Sequence, residues 1–224
     1  MRIDKLKIDR FKNLRDFAIN FDEETPTTVL VGRNGTGKSN ILEALTIIFR
    51  DLDLAADPSF PYELQYICRG KTIHIEANPE ASKSSQIAID GEGISLGQFS
   101  DRSDRQYLPN YVFGYYSGPS NRMEEHFLKH QELFYRDLIG GIERPLRPLF
   151  YARPVHSQFV LLAFFIEHDH VALNFLKENL GIEGLDSVLF VMKEPPWKSH
   201  EGDPRFWNAR GTVRTFLDNC TVFH

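Results

Sequence analysis

Gly32-Arg33-Asn34-Gly35-Thr36-Gly37-Lys38-Ser39 is the stretch that decides the fold. It fills every fixed position of the G-x-x-x-x-G-K-[ST] pattern. Gly32, Gly35 and Gly37 let the backbone take conformations closed to other residues and come close to an anion. The N–H groups of such a loop form a nest for a phosphate at a helix N-terminus. Lys38 supplies a point charge for the β- and γ-phosphates, and the Ser39 hydroxyl is a ligand for Mg²⁺. The pattern counts only between a strand and a helix, and both are legible. Thr28-Val29-Leu30-Val31 is an apolar run that reads as a buried strand entering the loop. Asn40 to Arg50 reads as the helix leaving it, burying Ile41, Leu42, Leu45, Ile48 and Phe49 at helical spacing. A glycine-rich turn that merely caps a helix would not account for every fixed position being filled in the right frame.

Upstream, Leu6, Ile8 and Phe11 alternate with charged residues, the period of a half-buried strand. Lys12-Asn13-Leu14 reads as a turn, and Asp16 to Phe21 as a second strand completing a hairpin. Downstream, Asp51 to Pro61 reads as irregular. Thr72–Glu76 and Gln86–Asp90 read as two strands of one sheet, Arg69-Gly70-Lys71-Thr72 as a hairpin turn, and Gly91 to Asp104 as a mobile polar loop. Tyr111 to Tyr116 reads as a buried strand. A helix is expected from Arg122 to Leu138, capped by Ser120 or Asn121 and ended by Gly140-Gly141. Phe159 to Phe175 reads as a buried helix or helix pair, Asp186 to Met192 as a strand, and Phe206 to Leu217 as a last amphipathic helix.

The 224 residues, 42% hydrophobic and 25% charged, suffice for one large domain with a sizeable core. A net charge of −5 argues against a strongly basic nucleic-acid binder, though not against a local basic patch. Cys68 and Cys220 stand far apart, which suits a reducing cytoplasm without a disulfide framework. The charged, alternating start is not a signal peptide. No apolar run approaches the ~18 residues of a membrane span.

The opening as a whole runs strand, "FKNL" turn, strand, then "VGRNGTGKSNILEAL". It resembles the N-terminal lobe of ABC-type, AAA-family ATPases of the SMC, RecF and overcoming-lysogenization-defect group. Asn34, Asn40 and Leu42-Glu43-Ala44-Leu45 are the discriminating residues. Tyr116-Ser117-Gly118 through His126-Phe127, and Phe150 to Phe159, also resemble AAA-family ATPases that accompany restriction or phage-defence systems. The resemblance implies an α/β P-loop NTPase fold: a head with a mixed central sheet, an antiparallel β-subdomain and a helical part. Residues 1–119 would be the N-terminal lobe and 120–224 a helical region continuing into a further lobe. It implies ATP and Mg²⁺ as cofactors, with Gly32, Arg33, Asn34, Gly35, Thr36, Gly37, Lys38, Ser39 and Asn40 around the nucleotide and Ser39 on the metal. The turn residues Arg10, Lys12 and Asn13 lie near the nucleotide in similar ATPases, which adds Asn13 to the set. The implied partners are a second head, joined through ATP, and a nuclease and DNA in a defence or repair complex.

In that family a strand ends in an aspartate followed by a catalytic glutamate. No such Asp-Glu pair follows an apolar run here. Leu189 to Glu194 puts Lys193 where the aspartate is needed, and Phe164 to Asp169 sits in an expected helix. Gly140-Gly141 lacks the serine of a signature loop. The catalytic residues are therefore not assigned, and the chain reads as the front half of an ATPase. Two alternatives stay open: a module that dimerises on ATP without catalysis, and a P-loop kinase acting on a small molecule.

Glu167-His168-Asp169-His170 suggests metal ligands, but neighbours on a helix point apart, so a solvated helix end is expected. His126 and His130 share a helix face at zinc-ligand spacing, with a surface face as the plainer reading. Gln106 or Gln158 is a candidate metal-sensing glutamine. Arg144, Arg147 and Arg153, with Phe150 and Tyr151, form a candidate contact for nucleic acid or a partner chain.

Overall fold

The computed structural model describes residues 1–21, 24–25, 27–101, 105–118, 120–142, 147–189 and 208–221. The chain divides into two units. The first comprises Met1–Gly114, Gly118–Gln131 and Leu146–Phe150, and the second Tyr115–Ser117, Glu132–Pro145 and Tyr151–His224.

The first unit is built on a six-stranded sheet. Its strands are β1 (Arg2–Phe11), β2 (Leu14–Asn20), β3 (Tyr62–Cys68), β4 (Lys71–Ala77), β5 (Ser85–Ile89) and β6 (Glu92–Ile94). They lie in the order β2-β1-β3-β4-β5-β6, and every neighbouring pair is antiparallel. The expected hairpin of β1 and β2 forms, with Lys12 at φ 52° in its turn. β3 pairs along the other edge of β1, setting Leu6 opposite Leu64 and Ile8 opposite Tyr62. Period-2 alternation then puts Leu6, Ile8, Leu64, Tyr66, Ile73, Ile75, Ile87 and Ile89 on one buried face. Helix α1 (Lys38–Asp53) joins that core through Ile41, Ala44, Ile47, Ile48, Phe49 and Leu52. Each leucine, isoleucine or phenylalanine among them contributes roughly 1.5–3 kcal/mol when fully buried, so the sheet face and α1 hold one another.

The opposite face carries charge. Lys5, Lys7 and His74 surround Glu63, and the hydrogen bonds from Lys7 and Lys5 hold its carboxyl down at about 2. The β3–β4 connection is the expected hairpin turn, with Arg69 at φ 50° and Gly70 at φ 77°. Arg69 donates to the carbonyls of Arg105, Gln106 and Leu108 at 2.6, 2.9 and 3.0 Å, so the turn also anchors that segment. Beyond β5 the structure is more regular than the polar composition suggested. Short helix α2 (Leu96–Phe99) follows β6 and is closed by a capping box between Ser95 and Gln98. Only the last part of the expected loop, residues 102–104, lies outside the described residues.

Several expectations are corrected. Thr28–Val31 is not a strand: Val29 is 76% and Val31 90% exposed. A buried strand needs hydrogen-bonded neighbours, and among the described residues no strand pairs with Thr28–Val31. The sheet of the described residues is accordingly antiparallel throughout rather than mixed. Leu42 is half exposed, because the helical stripe facing the sheet runs through Ile41, Ala44 and Ile48. β7 (Val112–Tyr115) does form, paired with β8 (Leu149–Ala152), but this two-stranded ribbon leaves Phe113 and Tyr115 mostly exposed. The helix expected from Arg122 starts as a 3-10 turn over Glu124–Phe127 and becomes α3 (Leu128–Ile139). Neither Ser120 nor Asn121 caps it with a side chain. Gly141, at φ 82°, ends it as read.

In the second unit α4 (Pro154–Glu167) and α5 (His170–Phe175) form the expected helix pair, but no side chain of either is buried. Asp169 caps α5, accepting from the Val171 and Ala172 N–H groups at 3.0 and 3.1 Å. That confirms the solvated helix end over Glu167–His170. Residues 186–189 take no regular structure, and the rest of the expected strand, with Lys193 and Glu194, lies outside the described residues. So do Arg144 and Phe206. The last helix, α6, spans Gly211–Thr221. Among the described residues no helix is long and apolar enough to cross a membrane.

Candidate phosphate-binding site

The loop 32–37 enters α1 with Gly37 as its N-cap, at φ 103° and ψ 2°. A Cβ there would stand 2.7 Å from Leu14 Cδ2 and 3.2 Å from Asn13 Oδ1, so the hairpin turn packs against the loop too closely for any side chain. Gly35 is also left-handed, at φ 84°, but with open space around it. Thr36 Oγ1 donates to the Arg33 carbonyl at 2.9 Å and closes the turn. No side chain caps α1, and no acidic residue stands in its first turn. Its first N–H donors and the positive end of its dipole therefore face the loop without a competing carboxylate.

Lys38 leans back over this ring. Its ammonium donates to the carbonyls of Gly32 and Arg33 at 2.6 and 2.8 Å, which puts the positive charge at the mouth of the loop. Ser39 lies on the first turn of α1, and its hydroxyl has no hydrogen-bond partner among the described residues. Asn13 reaches from the β1–β2 turn and donates to the Gly35 carbonyl at 2.7 Å. Asn40 in turn donates to Asn13 Oδ1. The structure thus brings together all ten residues expected around a nucleotide, from Gly32 to Asn40 with Asn13.

One turn beyond Ser39 lies a carboxylate. Glu43 is 2% exposed and is held by Lys12, Arg122 and His126. His126 Nε2 meets its Oε1 at 2.9 Å, and Arg122 Nε donates to its Oε2 at 3.1 Å. Burial pushes the carboxyl pKa up, but the hydrogen bonds from Lys12, His126 and Arg122 outweigh it and bring it to about 2. A carboxylate so stabilised is a weak proton acceptor near neutrality and is poorly suited to act as a general base. At the far end of α1, His130 Nε2 meets Asp53 Oδ2 at 2.7 Å, and Arg105 donates to the same carboxylate. Burial raises the Asp53 pKa, and these two partners more than offset it.

The two histidines therefore bind two different carboxylates, and neither the zinc face nor the surface face expected of them is found. Among the described residues no cluster of three His, Cys, Asp or Glu could hold a metal ion. Arg147 is buried and stacks over the Phe150 ring at 4.5 Å, so it is no open contact for nucleic acid. The sequence reading missed Glu43 as an ionic centre and Arg122 and His126 as its partners. They lie 79 and 83 residues from it along the chain, and no local pattern signals contacts of that range.

Comparison with known proteins agrees with the loop. A solved chain from work on the structural biochemistry of ATP-driven dimerization and DNA stimulated activation of SMC ATPases is 21% identical and covers 64% of this chain and 100% of its own, with a TM-score of 0.37. At that score the likeness carries no weight for the fold. No curated protein matches the sequence. The family model described as AAA ATPase domain matches residues 1–129, more than half of the chain, including Asn13, Gly32 to Asn40, Glu43, Arg122 and His126. On that match the chain belongs to the AAA ATPase domain family.

Proposed function

We propose that this chain binds ATP through the loop 32–39, as the head of an ATPase. What carries the reading is the meeting, at the uncapped N-terminus of α1, of the Lys38 ammonium with a loop whose Gly35 and Gly37 hold left-handed backbone. Lys38 would neutralise the β- and γ-phosphates, the backbone of 34–37 would cradle them, and Asn13 and Asn40 would hold the loop in shape. Mg²⁺ fits the Ser39 hydroxyl, which is a hard oxygen donor with no hydrogen-bond partner among the described residues, and would screen the phosphate charges. Hydrolysis also needs a base to activate water. The carboxylate nearest along α1, Glu43, is committed to its three partners.

The proposed role is that of a head in a DNA-directed defence or repair assembly, pairing with a second copy through ATP and working with a nuclease. This rests on the resemblance of the opening fifty residues. A second reading, an ATP-dependent dimerising module without catalysis, rests on the sequence showing no Asp-Glu pair after an apolar run. Nucleotide binding by calorimetry, phosphate release and solution mass with and without ATP, beside Lys38→Ala, test both. Binding lost in the variant with negligible turnover is the expected result. Binding retained by Lys38→Ala would refute the site, and turnover at an ordinary enzymatic rate would refute the non-catalytic reading.

A further inference from the structure

We propose that Arg122, far from the loop in sequence, is a positioning residue for it, acting through Asn40 and Asn13 on the Gly35–Thr36 peptide. The inference rests on the ATP-binding reading and deepens it. Arg122 touches both Glu43 and Asn40: its guanidinium donates to Glu43 Oε2 and to Asn40 Oδ1. A guanidinium has only donors, so it fixes which end of the Asn40 amide faces it. The oxygen must point to Arg122, and the nitrogen then points to Asn13 Oδ1. With its oxygen accepting, Asn13 can offer only its nitrogen to the loop, and it donates to the Gly35 carbonyl at 2.7 Å. Because the peptide is planar and trans, fixing that carbonyl also fixes the Thr36 N–H on the other side. One charge thus sets the polarity of two amides and the attitude of one loop peptide.

The turn that delivers Arg122 is itself well held. Met123 and Phe127 are buried, 6% and 2% exposed. Phe127 lies so close over Gly114 that a Cβ there would meet its Cζ at 2.5 Å. His126, from the same turn, meets both Glu43 and Arg50. Glu43 in turn holds the Arg122 head group against α1, since the pair is joined through both Nε and Nη2.

The test compares Arg122→Ala, Asn40→Ala, Asn13→Ala and the double variant Arg122→Ala with Asn13→Ala. Affinity for ATP with Mg²⁺ is measured by calorimetry, and the backbone amide resonances of Gly35, Thr36 and Gly37 are followed in the free protein. Each single variant should weaken ATP by roughly tenfold, and the double by no more than either single, because the residues act in series. Asn40→Ala leaves the Arg122–Glu43 pair intact, so an equal loss there separates the relay from a merely structural ion pair. All variants should move the same loop resonances. Losses that multiply in the double variant would overturn the proposal. So would Arg122→Ala lowering only the unfolding midpoint, with affinity and loop resonances unchanged. If the natural sequence binds no ATP while the loop resonances still move together, the proposed function fails and the relay stands. If it binds ATP and Lys38→Ala abolishes this while Arg122→Ala has no effect, the relay fails and the function stands.

Discussion

Replacing Gly37 by alanine should destabilise the first unit by about 2–5 kcal/mol, whereas the same change at Gly35 should cost only about 1–2. Both positions are left-handed, at φ 103° and 84°, so both substitutions incur the backbone strain of an L-residue, roughly 1–2 kcal/mol. They differ in their surroundings. A Cβ at Gly35 meets nothing within 4 Å, while one at Gly37 would stand 2.7 Å from Leu14 Cδ2. Leu14 is 4% exposed and belongs to the core, so its methyl cannot swing into solvent and the packing must shift. Overpacking of this kind costs roughly 1–3 kcal/mol on top of the strain. The comparison is made by urea unfolding, using a probe confined to the first unit because the chain has two units and need not unfold in one step. The Gly37 variant should also lose nucleotide affinity more steeply, since relief of the clash displaces Asn13 from the Gly35 carbonyl. Equal midpoints and equal m-values for the two variants would refute the close packing of the hairpin turn on the loop.

Further predictions concern the core and the ion pairs. Glu43 titrates near 4.5 unfolded and at about 2 folded, so its pairing stabilises the protein above about pH 4.5 and this is lost as the pH falls toward 2. The span corresponds to about 3 kcal/mol, and urea unfolding at pH 7, 5, 4 and 3 should show the decline, flattened in Glu43→Gln. A Glu43→Gln variant with the same pH dependence as the natural sequence would contradict the assignment. Tyr66 is fully buried, stands edge-on to Phe49 and donates its hydroxyl to the Tyr107 carbonyl at 2.8 Å. Tyr66→Phe keeps the ring but strands that carbonyl, and thermal unfolding should report a loss of about 1–2 kcal/mol; an unchanged midpoint would show that water replaces the bond.

The loop 32–39 was legible because its chemistry is local. Glycine at 35 and 37, Lys38 and Ser39 follow from requirements within eight residues, and the hairpin of β1 and β2 from a period of two. β3 carries the same signal, since Tyr62, Leu64, Tyr66 and Cys68 alternate and are all buried, but it is short and lies between an irregular stretch and the turn at Gly70. Hydrophobic runs proved a poorer guide to burial. Val29, Val31 and Phe113 are apolar and exposed, because burial depends on a neighbour that a run of residues does not name.

What the sequence by itself determined is the set of groups on offer: glycines that let a loop close on itself, a lysine cation and a serine hydroxyl at the start of a helix. What only the tertiary structure decided is how that loop is held. Asn13 meets Gly35 from 22 residues away, and Arg122 meets Asn40 from 82. Contacts at such separations depend on the register of β1 with β2 and on where the turn after β7 lands on α1. They are settled when the core closes around Leu14, Ile41 and Ile48, not by any spacing along the chain.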